Sequence, residues 1–180
     1  LHRHIPPTYE SAATRKFQLG RTDTIRTASM TSKAFVEAMM SSAKTNSELA
    51  QLFRTAVQAH TKYTKEACNG EAFDRHFFGL KMIAVESGMD LPEFFMDKTF
   101  SRALHFNMST SQIGSKYDMV ACFGPTVPDG YGICYNPQSD CVRYTVTAFN
   151  SNAKTDAVKM GEAVQQSFDE IGLILSSAHL

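Results

Sequence analysis

No excess of either charge is present: eighteen Lys and Arg residues balance eighteen Asp and Glu residues. A chain so balanced has neither the basic footprint of a nucleic-acid-binding surface nor the high net charge of a disordered one. Long apolar runs are missing too. Stretches such as Met119-Val120-Ala121-Cys122-Phe123 fall far short of the roughly 20 residues a helix needs to cross a bilayer, so no transmembrane segment is expected. Cysteine is scarce. Cys68, Cys122, Cys134 and Cys141 lack the close pairing of a zinc or redox motif and the density of a disulfide-stapled secreted domain, so free thiols are expected. Histidines at metal-binding spacing, a Gly-rich phosphate loop and a nucleophile elbow are all lacking, and no metal is expected. Nor does any repeat, low-complexity segment or charge block divide the 180 residues, a length suited to one domain with a sizeable core. The opening Leu1-His2-Arg3-His4-Ile5-Pro6-Pro7 has no initiating Met and no apolar stretch behind its basic residues. It therefore reads as neither a signal peptide nor a natural start, but as the edge of a piece of something longer.

What is present is a run of helices, then strands, then one helix. Thr45-Asn46-Ser47-Glu48 has the form of a capping box. Leu49, Phe53, Ala56, His60, Tyr63 and Ala67 follow at helical spacing until Asn69-Gly70 supplies a stop. A shorter helix is expected near Ser32 to Met40, another over Phe73 to Val85 ending at Gly88, and a further short one from Leu91-Pro92 toward Leu104. Beyond Leu104 the pattern turns to β-type runs at His105 to Ser111, Met119 to Phe123, Tyr131 to Tyr135 and Val142 to Phe149, separated by turn residues. From about Lys154 to Ser176 a stripe of Ala157, Met160, Val164, Phe168, Ile171 and Leu175 predicts a helix lying on the sheet. The fold class is α+β, with helices and strands largely segregated.

Polar residues that could carry chemistry cluster at element junctions. Gly20 to Arg26 packs two arginines, an aspartate and two hydroxyls into seven residues, suited to an internal network or to fixing a carboxylate or phosphate. Asp74-Arg75-His76 at a helix start either pairs locally or points a guanidinium into a site. Ser109-Thr110-Ser111-Gln112 places four small or polar side chains at a strand end. Alternation puts Ser109 and Ser111 on one face, where two hydroxyls can donate to a developing oxyanion; a strand simply running out into a turn would look the same. His60, His76 and His105 are candidate bases, and His60, on the apolar stripe of its helix, reads as a packed histidine.

Several strings together are more specific than any one of them. These are Thr8-Tyr9-Glu10-Ser11-Ala12, Leu19 through Arg26, Gly70 through His76, Phe106 through Gln112, and Phe123-Gly124-Pro125 with Val127 through Gly132. In order and spacing they resemble the C-terminal portion of the choline/carnitine acyltransferase family, most like its acetyl-transferring, carnitine-using members. The resemblance covers essentially the whole chain. It implies a chloramphenicol acetyltransferase-like mixed sheet flanked by helices, here an incomplete C-terminal domain spanning residues 1–180. It implies reversible acyl transfer between coenzyme A and the hydroxyl of carnitine, with coenzyme A a co-substrate rather than a resident cofactor.

The same resemblance implies roles by position. Tyr9, Thr22 and Arg75 match the holders of the carnitine carboxylate, Ser111 the hydroxyl that stabilises the oxyanion, and Ser109 its support. Ser11 and Gln112 match residues touching coenzyme A. Ala121 stands in the acyl pocket, where acetyl-transferring members have Met and longer-chain members Gly, so short and medium chains are expected. Thr61 stands where the acetyl enzyme has an arginine near coenzyme A. The general-base histidine belongs to the family's other half and matches no residue here, so the partner required is that N-terminal half and the 180 residues alone are expected to be inactive. Two alternatives are a non-catalytic carnitine-binding half-site and a choline-using member, the latter disfavoured by Arg75 and Thr22. Ala178-His179-Leu180 fits the small-basic-Leu form of a peroxisomal address. The family's distribution gives the mitochondrion as a second location.

Overall fold

A computed structural model describes residues 5–41, 43–117 and 119–178. His179 and Leu180, on which the peroxisomal reading depends, lie outside the described residues. The chain forms β1 (Thr8–Ala13), β2 (Thr22–Ile25), α1 (Met30–Ser41), α2 (Asn46–Cys68), α3 (Phe73–Glu86), α4 (Glu93–Met96), α5 (Lys98–Ala103), β3 (Met108–Gln112), β4 (Tyr131–Pro137), β5 (Val142–Ala148) and α6 (Ala157–Ser177). One mixed sheet runs in the order β2-β1-β3-β4-β5. β1, β3 and β4 are parallel, and the outer strands β2 and β5 pair antiparallel.

The expected helices are present, and local chemistry sets their ends. Thr45 Oγ1 accepts from the Glu48 N–H at 3.3 Å while the Glu48 carboxylate accepts from the Thr45 N–H at 2.9 Å, closing the capping box of α2. Gly70 ends that turn with φ +76°, and a Cβ there would meet the Phe17 ring at 2.9 Å. The stretch after Pro92 divides into α4 and α5 because Asp97 accepts from the Thr99 N–H at 2.6 Å and starts a new helix. α6 begins at Ala157 rather than Lys154, since Asp156 accepts from the N–H groups of Val158 and Lys159 at 3.0 and 3.1 Å.

Two strand expectations needed revision. β1 and β2 precede the helices, so strands and helices are less segregated along the chain than the pattern suggested. Their sequences, Thr-Tyr-Glu-Ser-Ala-Ala and Thr-Asp-Thr-Ile, lack the bulky alternation that marks a strand. Met119 to Phe123 is not a strand. The run crosses a face of the sheet, where the Thr145 and Thr147 hydroxyls donate to the carbonyls of Ala121 and Phe123 at 2.7 and 2.6 Å. This close crossing requires Gly132, because a Cβ at that position would stand 2.6 Å from the Phe123 oxygen.

Register divides the sheet into two unlike faces. Glu10, Ala12, Ile25, Thr110, Ile133, Tyr135, Tyr144 and Val146 share one face, against which α2 and α6 pack. There Ala12, Ile25, Ala67 and Ala72 form a buried cluster with Tyr63 and Cys68 against it, and Leu49, Ala50 and Ile174 join α2 to α6. The opposite face carries Thr22, Thr24, Tyr9, Ser11, Ser109, Ser111, Gly132, Cys134, Thr145 and Thr147. No helix among the described residues is long and apolar enough to cross a membrane.

Candidate functional site

The hydroxyl-bearing face gathers most of the residues that the sequence singled out. β1 and β3 lie in parallel register with Tyr9 beside Ser109, and two residues on Ser111 stands beside Cys134 of β4. Ser109 is buried and Ser111 half-buried, at the end of a strand whose alternation turns both hydroxyls the same way. The Tyr9 ring packs on Phe106 with centroids 5.4 Å apart.

From Tyr9 a chain of polar contacts runs toward the β2 edge. The Tyr9 hydroxyl donates to Ser11 Oγ at 3.4 Å, and Ser11 Oγ shares a 2.8 Å hydrogen bond with Thr22 Oγ1. Arg75 Nε donates to the Thr22 carbonyl at 3.0 Å, bringing the guanidinium to the same corner. The three residues expected to hold one carboxylate are thus joined although Tyr9 and Arg75 lie 66 positions apart in sequence. Ser11, expected at the coenzyme, is the link between two of them. Gln112 is not brought to this cluster. It stands exposed at the end of β3 beside Tyr135, on the opposite face by alternation.

The two arginines of the region have different employment. Arg26 is fully engaged: Nε and Nη2 donate to the two oxygens of Asp74 at 2.9 and 2.7 Å, Nη1 to the Ala103 carbonyl at 2.9 Å, and its plane stacks between Phe73 and Phe106. Arg75 is exposed, and among the described residues Nη1 and Nη2 meet no acceptor. That leaves a planar pair of donors suited to a carboxylate.

Beneath the site, on the helix-covered face, the buried Glu10 carboxylate accepts from the Tyr135 hydroxyl and from Thr110 Oγ1, which also donates to the Tyr9 carbonyl at 3.2 Å. Burial first, and then the Glu10 carboxylate, push the Tyr135 phenol above its ordinary range. The group therefore stays a donor and staples β1, β3 and β4 under the hydroxyls. Sequence reading had missed this network. An acidic residue at the centre of a strand was its one visible sign.

Ala121 lies where the crossing segment passes over β4 and β5. It lines a cavity of about 340 Å³ with Ile113, Val120, Cys134 and Thr145 among its walls. Burial raises the Cys134 thiol, with Cys122 acting in the same sense, so Cys134 is a small apolar wall beside Ser111 rather than a ready thiolate. The four cysteines are free. None of the described histidines is hydrogen-bonded to Ser109 or Ser111. His105 instead shares a 2.6 Å hydrogen bond with Asp129, His60 is half-buried on α2, and His76 is exposed on α3. Thr61 lies on the exposed side of α2, its hydroxyl donating to the Val57 carbonyl at 2.9 Å. Groups of three or more His, Cys, Asp or Glu able to hold a metal ion are absent among the described residues.

A family model described as choline/carnitine O-acyltransferase matches residues 1–166. Carnitine O-acetyltransferase of Columba livia is 48% identical over 178 residues, covering 99% of this chain and 28% of that protein. The Homo sapiens carnitine O-acetyltransferase is 48% identical over 170 residues, 94% of this chain and 27% of that protein. Choline O-acetyltransferase of Danio rerio is 45% identical over 157 residues, 87% of this chain and 25% of that protein. The chain spans a little over a quarter of the length of the curated relatives it matches.

Proposed function

Because the chain belongs to the choline/carnitine O-acyltransferase family, we propose that it serves, within its whole protein, in the reversible transfer of an acyl group between coenzyme A and carnitine. One observation carries the choice of carnitine over choline: Tyr9, Thr22 and Arg75 converge at one corner of the sheet, with the outer nitrogens of Arg75 turned to no acceptor among the described residues. Carnitine has a carboxylate for that guanidinium, and choline has none.

Carnitine held at this corner presents its hydroxyl toward the β3 end of the sheet. Its oxygen attacks the thioester carbonyl carbon as the hydroxyl proton passes to a base supplied from outside the described residues. Ser111 donates to the resulting oxyanion while Ser109 supports the local hydrogen bonding. Collapse expels the coenzyme A thiolate, which takes up the proton in turn. No covalent acyl-enzyme is needed, since positioning and a prearranged donor lower the barrier. Ser11 and Gln112 are assigned to coenzyme A by resemblance. The position of Ser11 between Tyr9 and Thr22 lets it also order the carnitine side.

Steady-state kinetics of the full-length protein test this reading. Arg75→Ala raises the KM for carnitine with little change for carnitine amide, which lacks the negative charge. Ser111→Ala lowers kcat by about a hundred- to a thousandfold at nearly constant KM, the usual loss for one oxyanion donor. Equal turnover of choline and carnitine by the unaltered protein would overturn the choice of acceptor.

A further inference from the structure

The first turn of α3 is fastened to β2 at two points. Arg75, its third residue, donates from Nε to the carbonyl of Thr22 at the start of β2. The two residues before it reach the other end of that strand, where Arg26 follows Ile25 directly. Asp74 accepts from Nε and Nη2 of Arg26 at 2.9 and 2.7 Å, and the Arg26 guanidinium lies 5.4 Å from the centroid of the Phe73 ring. Consecutive residues of α3 thus bracket the four residues of β2. A single contact would let the turn pivot on the strand, whereas two set its direction.

A second line of contacts leaves the same guanidinium. Nη1 donates to the carbonyl of Ala103, the last residue of α5, at 2.9 Å. The guanidinium carbon stands 5.0 Å from the centroid of Phe106, and Phe106 in turn packs against Tyr9 with centroids 5.4 Å apart. Arg26 is therefore bound to the neighbour of Arg75 on one side and to the ring that supports Tyr9 on the other. A planar fork with fixed donor directions holds both at once; a lysine, a point charge on a flexible stem, does not. We propose that Arg26 is a positioning residue for carboxylate recognition: through Asp74 it sets the direction of Arg75, and through Phe106 the place of the Tyr9 ring, so that guanidinium and phenol converge before a carboxylate arrives. The pair is withdrawn from water, with the Asp74 side chain 6% exposed and that of Arg26 19%. Stability alone does not call for it, because apolar side chains of similar volume often serve a buried position as well or better. A clamp set in advance lowers the ordering cost of binding. The proposal rests on the carnitine reading above.

Variants of the full-length protein decide it, with KM and kcat measured for carnitine and for carnitine amide, and thermal unfolding followed alongside. Arg26→Lys keeps the charge but loses the fork, and raises the carnitine KM about tenfold with kcat nearly unchanged and the amide little affected. That figure is the lower end for losing a hydrogen bond to a charged group, since Arg75 is loosened and not removed. Arg26→Met combined with Asp74→Leu fills the same space with apolar side chains, so it unfolds near the temperature of the unaltered protein and still shows the raised carnitine KM. Phe106→Leu, which interrupts the line to Tyr9 and leaves the ion pair in place, raises that KM severalfold. If the double variant does not fold, Arg26→Lys and Phe106→Leu decide by their ratio of carnitine KM to amide KM. A double variant as stable as the unaltered protein and with its carnitine KM overturns the proposal, because the pair is then structural only. Equal losses for carnitine and amide overturn it as well. An unchanged carnitine KM in the Arg26 variants, with a raised one in Arg75→Ala, removes the role of Arg26 and leaves the carnitine reading standing. No effect of Arg75→Ala sinks the carnitine reading itself.

Discussion

A methionine side chain at position 121 would project into the 340 Å³ cavity that Ala121 now lines. Each methylene accommodated or excluded by an apolar pocket is worth about 1–3 kcal/mol in discrimination. Ala121→Met in the full-length protein should therefore leave acetyl transfer nearly intact and lower kcat/KM for hexanoyl and octanoyl donors by at least tenfold. A profile unchanged by the substitution would mean that the acyl chain lies elsewhere. Legibility differed among the site residues for definite reasons. Ser109 and Ser111 declare a shared face through simple alternation. The joining of Tyr9, Ser11 and Thr22 depends on antiparallel pairing of β1 with β2, which no local pattern announces. Which of two neighbouring arginines is paired and which is left for a ligand was undecidable from spacing. Only the fold brings Asp74 to Arg26, between the Phe73 and Phe106 rings, and leaves Arg75 outside.

Among the elements, α2 was the easiest to read, because its start signal is a reciprocal contact within four residues. Thr45→Ala should destabilise the protein by about 1 kcal/mol, the usual cost of losing an N-cap side chain. The partner side gives a pH signature. The Thr45 N–H, then the Lys44 ammonium and the Thr45 hydroxyl, hold the Glu48 carboxyl down at about 2, against an ordinary 4.5. With the native-state value lowered, the unfolded chain takes up the proton first as the solution is acidified. The contribution is thus complete above the ordinary value and lost as pH falls through about 2. Glu48→Gln should lower thermal stability modestly at neutral pH and flatten the acid limb over that window, the two proteins converging as pH falls toward about 2; an unaltered acid limb would show the carboxylate bond to be idle. Met119 to Phe123 marks the opposite limit of local reading. Its apolar run fits a strand, but its carbonyls are taken by two threonine hydroxyls rather than by a neighbouring ladder, a choice made by residues more than twenty positions away.

At the scale of the molecule, the described residues bury two small clusters and leave large apolar side chains in solvent. Leu19 is 93% exposed, Met40 82% and Leu173 71%. An isolated chain of balanced composition does not ordinarily leave so much apolar surface uncovered. Its relatives are more than three times as long, and surface of this kind suits contact with the remainder of such a protein. The same incompleteness shows at the chemistry. In the proposed reading Ser111 is the oxyanion donor and the Arg75 corner the carboxylate holder, yet no described histidine bonds Ser109 or Ser111, and His105 is committed to Asp129. Proton removal from the acceptor hydroxyl by a positioned base contributes typically a hundred- to ten-thousandfold in rate. Losing it should lower turnover by a comparable factor. Residues 1–180 expressed alone should accordingly show no acetyl transfer from acetyl-coenzyme A to carnitine above a heat-treated sample, under conditions in which the full-length protein turns over. Transfer clearly above that background, abolished by Ser111→Ala, would place the missing proton acceptor within these 180 residues.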